Sequence, residues 1–219
     1  MYKKDIKLMA VVASALFWGS GAFAANEIYI DQIGDNSTIT VDQLGTSNKV
    51  QGLMLGDPAL IKGDGNTVSI TQTGALNTVN LSLASTGGST AGSGTSLTLS
   101  AIGSGNTQTV ECGTSLSASC TADSVISQSI SGNDNTVLQQ LRTTGKNLSA
   151  INISGNANTV NHYTTGSQPH TANINVTGGV TGSGNTINVT QGGSTSATIT
   201  LNHTGDGGNI TVNQSTPAP

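Results

Sequence analysis

Aromatic side chains are scarce, with one Trp, three Tyr and two Phe in 219 residues. Phe17, Trp18 and Phe23 all lie near the N-terminus, so only Tyr29 and Tyr163 remain beyond Ala24. Such a chain cannot fill a thick globular core. Basic charge is also scarce. Beyond Ala24 four basic residues (Lys49, Lys62, Arg142, Lys146) stand against ten acidic ones, a formal charge of −6. No basic stripe exists to neutralise phosphates, which excludes nucleic acid as an expected partner. Cysteine is limited to Cys112 and Cys120 in "ECGTSLSASC". In an exported chain this pair is expected to form a local disulfide, because no further Cys or nearby His completes a metal-ligand set. No metal or other cofactor is expected.

The N-terminal segment reads as an address. Lys3, Lys4 and Lys7 precede the apolar run Leu8–Trp18, and Ala22-Phe23-Ala24 forms an A-x-A signature. This predicts a signal peptide over 1–24, cut between Ala24 and Ala25, and hence export. The run is too short to span a bilayer.

What is abundant is Gly, Asn, Thr, Ser, Val and Ile, in a repeating order. Gly-x-x-Asn occurs at Gly45/Asn48, Gly63/Asn66, Gly74/Asn77, Gly103/Asn106, Gly132/Asn135, Gly155/Asn158 and Gly182/Asn185. After each tag β-branched and polar residues alternate, as in Val68-x-Ile70-x-Gln72 and Ile187-x-Val189-x-Gln191. Period two with β-branched residues predicts short half-buried strands, and Gly and Asn between them supply turns. Disorder is the competing explanation of so polar a composition, and the strict alternation argues against it. Successive units so nearly alike predict an all-β solenoid of stacked strand–turn–strand rungs, about 22–24 residues each and roughly seven in number. The solenoid is expected over 25–214, with insertions near 52–62, 86–96 and 111–123 and a tail over 215–219.

Gln recurs before a Gly turn at Gln32, Gln43, Gln72 and Gln191. Stacked amides can donate to one neighbour and accept from the other, which satisfies buried groups and enforces register. Structural ladders are therefore expected at these four positions and at Asn48, Asn66, Asn77, Asn106, Asn135, Asn158 and Asn185. The simpler alternative places each Gln at a solvated strand end.

The unit Val68-Ser-Ile70-Thr-Gln72-Thr-Gly74-Ala-Leu-Asn77-Thr-Val79 resembles the curlin repeat, as does Ile39-Thr-Val41-Asp-Gln43-Leu-Gly45-Thr-Ser-Asn48-Lys-Val50. Weaker echoes extend the resemblance over most of 28–214. It implies inward Gln and Asn ladders and export across the outer membrane of a Gram-negative bacterium. It also implies assembly into curli-like amyloid fibres of a biofilm matrix. The implied partners are further copies of the chain or related fibre subunits, outer-membrane secretion machinery and surface receptors. The chain departs from the regularity of curlins at its insertions and at Ile151-x-Ile153-Ser154-Gly155, where Gln is missing.

Other functions receive less support. A non-polymerising β-solenoid adhesin would use the insertions as its binding surface. Catalysis is not expected, since His162, His170 and His203 have no compelling nucleophile or acid partner in sequence. Asp in "GDGN" and "GDGGN" reads as a turn former rather than a calcium ligand, for tandem Asp on consecutive turns is absent. Thr38-x-Thr40 and Thr198-x-Thr200 are too isolated to predict an ice-binding face.

Overall fold

The computed structural model describes residues 25–83, 94–112, 123–179 and 183–216. The expected signal peptide, Ala24 and Cys120 lie outside them. Among the described residues the regular structure is all strand. The alternating segments form β1 (Glu27–Ile28), β2 (Ile30–Ile33), β3 (Thr38–Thr46), β4 (Lys49–Gln51), β5 (Ala59–Lys62) and β6 (Thr67–Ala75). They continue as β7 (Thr78–Ser82), β8 (Ser96–Ile102), β9 (Thr107–Cys112), β10 (Val125–Ser131), β11 (Thr136–Thr143) and β12 (Asn147–Gly155). The last five are β13 (Thr159–Gly166), β14 (His170–Gly178), β15 (Thr186–Gly193), β16 (Ala197–Thr204) and β17 (Asn209–Thr216). Ser215 and Thr216, expected in the tail, belong to β17.

The strands make a β-solenoid of about six turns, rather than seven, built from two parallel sheets. One has seven strands in the order β16-β14-β12-β10-β8-β6-β3. The other has ten, along β1-β4-β7-β9-β11-β13-β15-β17, with β2 paired to β5 and β5 to β7. The chain alternates between the sheets, and successive rungs are about 4.8 Å apart. In β6 the buried positions are Val68, Ile70 and Gln72, in strict alternation with partly exposed Ser69, Thr71 and Thr73. Period-two patterning thus points one set of side chains into a core a single layer thick.

The rungs are less uniform than the sequence suggests. In the seven-stranded sheet Thr38 pairs with Thr67, Thr67 with Ser96 and Ser96 with Val125. Each of these steps is a sequence offset of 29, the offset that also links Gln43 to Gln72. Val125 then pairs with Leu148 and Leu148 with Thr171, and Thr171 pairs with Thr198. Those steps match the offsets of 23 from Asn135 to Asn158 and 27 from Asn158 to Asn185.

In the first of the three long rungs the extra residues, 52–58, leave the ten-stranded sheet in mid-strand, for Gln51 is in register with Asn80 and Leu60 with Ser82. Lys49 to Thr67, Thr78 to Ser96 and Thr107 to Val125 are equal in length, half as long again as Thr136 to Leu148. These are the three predicted insertions, trimmed where Ala59–Lys62, Ser96, Glu111 and Cys112 belong to strands. Most of the second and third lies outside the described residues. A shorter lengthening falls between Thr171 and Thr186 and carries no compositional mark distinct from the ordinary turns.

Candidate assembly interface

The tightest feature of the stack is an asparagine ladder. Asn48, Asn77, Asn106, Asn135, Asn158 and Asn185 each stand just before a strand of the ten-stranded sheet and are at most 1% exposed. From Asn77 onward, each Nδ2 donates to the preceding Asn Oδ1 at 2.9–3.1 Å. The same Nδ2 donates to a Gly carbonyl of the following rung, such as Gly132 from Asn106 at 2.7 Å. Each backbone N–H also donates to the preceding Oδ1, as from Asn106 to Asn77 at 3.2 Å. Amides inside the column are therefore satisfied on both sides, which is the condition for burying them without a desolvation penalty. The column begins one step earlier than the sequence suggests, at Asn26, whose Oδ1 accepts from Asn48 N–H at 3.0 Å.

The geometry divides the expected ladder residues among separate columns. Asn66 lies on the opposite corner from Asn77, where it donates to Gly63 O and accepts from Thr95 N–H. Its column runs through Ser37, Thr95, Ser124 and Asn147, so it does not join the asparagine ladder. The two tags eleven residues apart mark the two corners of a rung, and only one corner keeps Asn from rung to rung as far as Asn185. Gln43 and Gln72 do stack, Nε2 to Oε1 at 2.7 Å. Their column continues with Ala101 and Ile130, so it is a pair and not a ladder. Gln32 and Gln191 sit in the other sheet. Gln32 is in register with Ile61 and turns its Nε2 to Gly34 O. Gln191 is in register with Gln214, Nε2 to Oε1 at 3.5 Å. All four precede a Gly turn in the local sequence, but alternate strands belong to opposite sheets.

A second buried polar group goes beyond the expected ladders. Gln108, Gln128, Gln139, Ser149 and His162 all point inward in the middle rungs. Gln108 Nε2 donates to Gln128 O, and Gln128 Nε2 to Gln139 Oε1 at 2.8 Å. Gln139 Nε2 meets Ser149 Oγ, and both lie 3.3 Å from His162 Nδ1. His162 Nε2 is 3.0 Å from Gln191 Oε1. Gln191 accepts, so His162 carries its proton on Nε2 and accepts at Nδ1. Burial lowers its pKa from 6.5 to about 4, with the neighbouring His170 adding to the effect and the Gln191 hydrogen bond opposing it. The network falls where the apolar core divides into two clusters, one ending near Leu141 and the other beginning near Ile130. Its signal is present in the strands: Gln128 is in phase with Ile126 and Ile130, and Gln139 with Val137 and Leu141.

Cys112 is disulfide-bonded and buried in β9. The chain's other cysteine, Cys120, lies outside the described residues. Ala25 is described and exposed, just before β1.

The outer edges of the end rungs are where the structure offers something to a partner. Among the described residues no strand pairs with the outer edge of β1, β2 or β3, nor with that of β16 or β17. Inward residues there are only partly covered: Ile28, Ile30 and Ile39 at one end, Leu201, Ile210 and Val212 at the other. Their counterparts in the interior, such as Val79, Ile126 and Ile174, are fully buried. Outside the asparagine ladder, stacked side-chain amides donate toward the C-terminal end. Examples are Gln43 to Gln72, Gln51 to Asn80, Asn152 to Asn175 and Asn175 to Asn202. The two ends are therefore chemically unlike. In comparisons with protein-family models, with curated proteins and with solved structures, nothing matches the chain.

Proposed function

We propose that the protein is a secreted structural subunit that self-assembles head-to-tail into curli-like amyloid fibres of an extracellular matrix. The observation that carries this reading is the pair of end rungs whose outer edges are paired with no strand among the described residues. Each leaves a row of backbone N–H and C=O groups open above a cut apolar core, the arrangement that proteins otherwise blunt with charge, proline or a covering element. A second copy would complete both the hydrogen bonding and the burial, continuing the cross-β stack. The curlin-like repeats and the signal-peptide pattern support the same reading from sequence. Fibres grown from purified protein are expected to show a meridional reflection near about 4.8 Å. Compact monomers without that reflection at any concentration would remove the proposal. They would favour a surface adhesin, for which the loop between β4 and β5 supplies an exposed apolar tip, Leu53, Met54 and Leu55.

A further inference from the structure

The asparagine ladder does not reach the C-terminal end of the stack. In the last rung the position in register with Asn185 is Gly208. Gly208 N–H donates to Asn185 Oδ1 at 2.8 Å, as an asparagine backbone would. The side-chain donor is supplied from elsewhere: His203 Nε2 lies 2.9 Å from the same Oδ1. The last acceptor of the ladder is thus satisfied, but Gly208 has no Oδ1 to offer onward. His203 also occupies the column of Gln43 and Gln72, so that column carries no amide at its C-terminal end either.

The N-terminal end is built to receive what is missing. In the interior a ladder Asn delivers its backbone N–H and one Nδ2 proton to the Oδ1 of the rung before it. Asn26 holds this position in the first rung, with its Nδ2 turned to Gly45 O at 3.2 Å and to Gln43 O at 3.3 Å in place of a preceding Oδ1. Gln43 donates its Nε2 to Gln72, while its own Oε1 is buried and unpartnered at the edge strand β3. If a second copy continues the register, Ile210 and Val212 fall on Ile28 and Ile30, and Leu201 on Val41. Asn202 then falls on Asp42 and Gln214 on Gln32. The apolar layer and these polar contacts match. Gly208 beneath Asn26 and His203 beneath Gln43 do not.

We infer that Gly208 and His203 make the C-terminal rung a ladder terminator, so that the junction between copies is the weakest step of the fibre and limits its elongation. This inference rests on the head-to-tail reading. It would keep the subunit soluble enough to travel before it assembles, because each addition forgoes ladder bonds that internal steps make.

The test is the double variant Gly208→Asn with His203→Gln, made in the chain beginning at Ala25 as expected after export. Gly208 has no positive φ, and the atoms nearest a Cβ there are the tip of the His203 ring and Asn185 Oδ1, at 2.9–3.1 Å. His203→Gln removes the ring. The introduced side chains would offer Oδ1 to Asn26 and Nε2 to Gln43 of the next copy. Seeded elongation and the critical concentration are read for wild type and variant, with monomer melting measured in parallel. The expected result is a critical concentration lowered about tenfold or more, the worth of one or two net hydrogen bonds. Wild-type fibres with no change in the variant would overturn the terminator and leave the assembly reading intact. A monomeric wild type with a fibrous variant would support the terminator and overturn fibre formation as the native function. Failure of both to assemble would overturn both.

Discussion

At the residue scale, the middle of this solenoid is held by polar groups that only work when each is in one protonation state. His162 is neutral, donating from Nε2 and accepting at Nδ1, and no described carboxylate bonds to it. His170 is the titratable neighbour that acts on it, from β14 of the opposite sheet. Its other contacts, Gln139 on β11, Ser149 on β12 and Gln191 on β15, carry no charge. A folded-state pKa of about 4 against 6.5 gives stability that is fully present above pH 6.5 and is lost as pH falls toward 4. The loss expected from this shift is about 3 kcal/mol. Urea unfolding at pH 7 and pH 4.5 checks it: His162→Gln, which keeps an amide between Gln139 and Gln191, should flatten this part of the pH dependence. An equal pH slope in the variant would show that other groups carry it.

At the scale of the strand and its turn, glycine decides how closely rungs approach. Gly103 follows β8 with φ of 126°, and its Cα side faces the carbonyl of Gly132 one rung on. A Cβ there would overlap that carbonyl oxygen, which also accepts from Asn106 Nδ2. Gly103→Ala therefore combines a disfavoured backbone angle, a backbone clash and a disturbed ladder bond. We expect it to destabilise the stack by about 3 kcal/mol or more, seen as a lowered midpoint in chemical denaturation. Gly56→Ala, in the open β4–β5 loop with nothing near its absent Cβ, should cost less despite its φ of 87°. The element scale is the most legible in sequence, because alternation reports burial directly. Val68, Ile70 and Gln72 read as one face from their spacing alone, and they are one face. Element bounds at the insertions are not legible in this way. Ala59–Lys62 resumes the strand that Gln51 leaves, and the composition of 52–62 does not mark the return.

At the scale of the whole molecule, the ends matter more than the surface. The outer faces are Thr, Ser and Asn for most of their length, with charged pairs where Lys49 reaches Glu27 at 3.0 Å and where Arg142 reaches Glu111 at 3.3 Å and lies 5.6 Å over Tyr163. Surface pairs of this kind add little to stability. The end rungs instead carry half-covered Ile, Leu and Val. Val212→Lys places a charge on the C-terminal face, where stacking a second copy would bury it without a partner. Sedimentation should then find monomers under conditions in which the wild type assembles, and the monomer should still melt cooperatively, at a temperature lowered by the loss of the half-covered Val212 side chain from the second apolar cluster. Retained assembly in this variant would mean that copies meet elsewhere.

The class of structure follows from the order of residues alone: repeat, alternation and turn residues are local properties, and together they permit little besides stacked parallel strands. Alternation also puts amides on the inward face, where each needs a hydrogen-bond partner, but the partner is as often a backbone carbonyl or a hydroxyl as another amide: Asn66 donates to Gly63 O and Gln139 to Ser149 Oγ. Which amides meet depends on the folded path of the chain. Asn66 and Asn77 carry the same tag, yet Asn77 joins the asparagine ladder and Asn66 does not. The same holds for Gln32 and Gln72, in opposite sheets. Partnership in this solenoid is set by sequence offsets of 22, 23, 27 or 29, and those steps depend on insertions whose lengths vary between rungs. Local pattern fixes the face a side chain takes; the path of the whole chain fixes the neighbour it finds there.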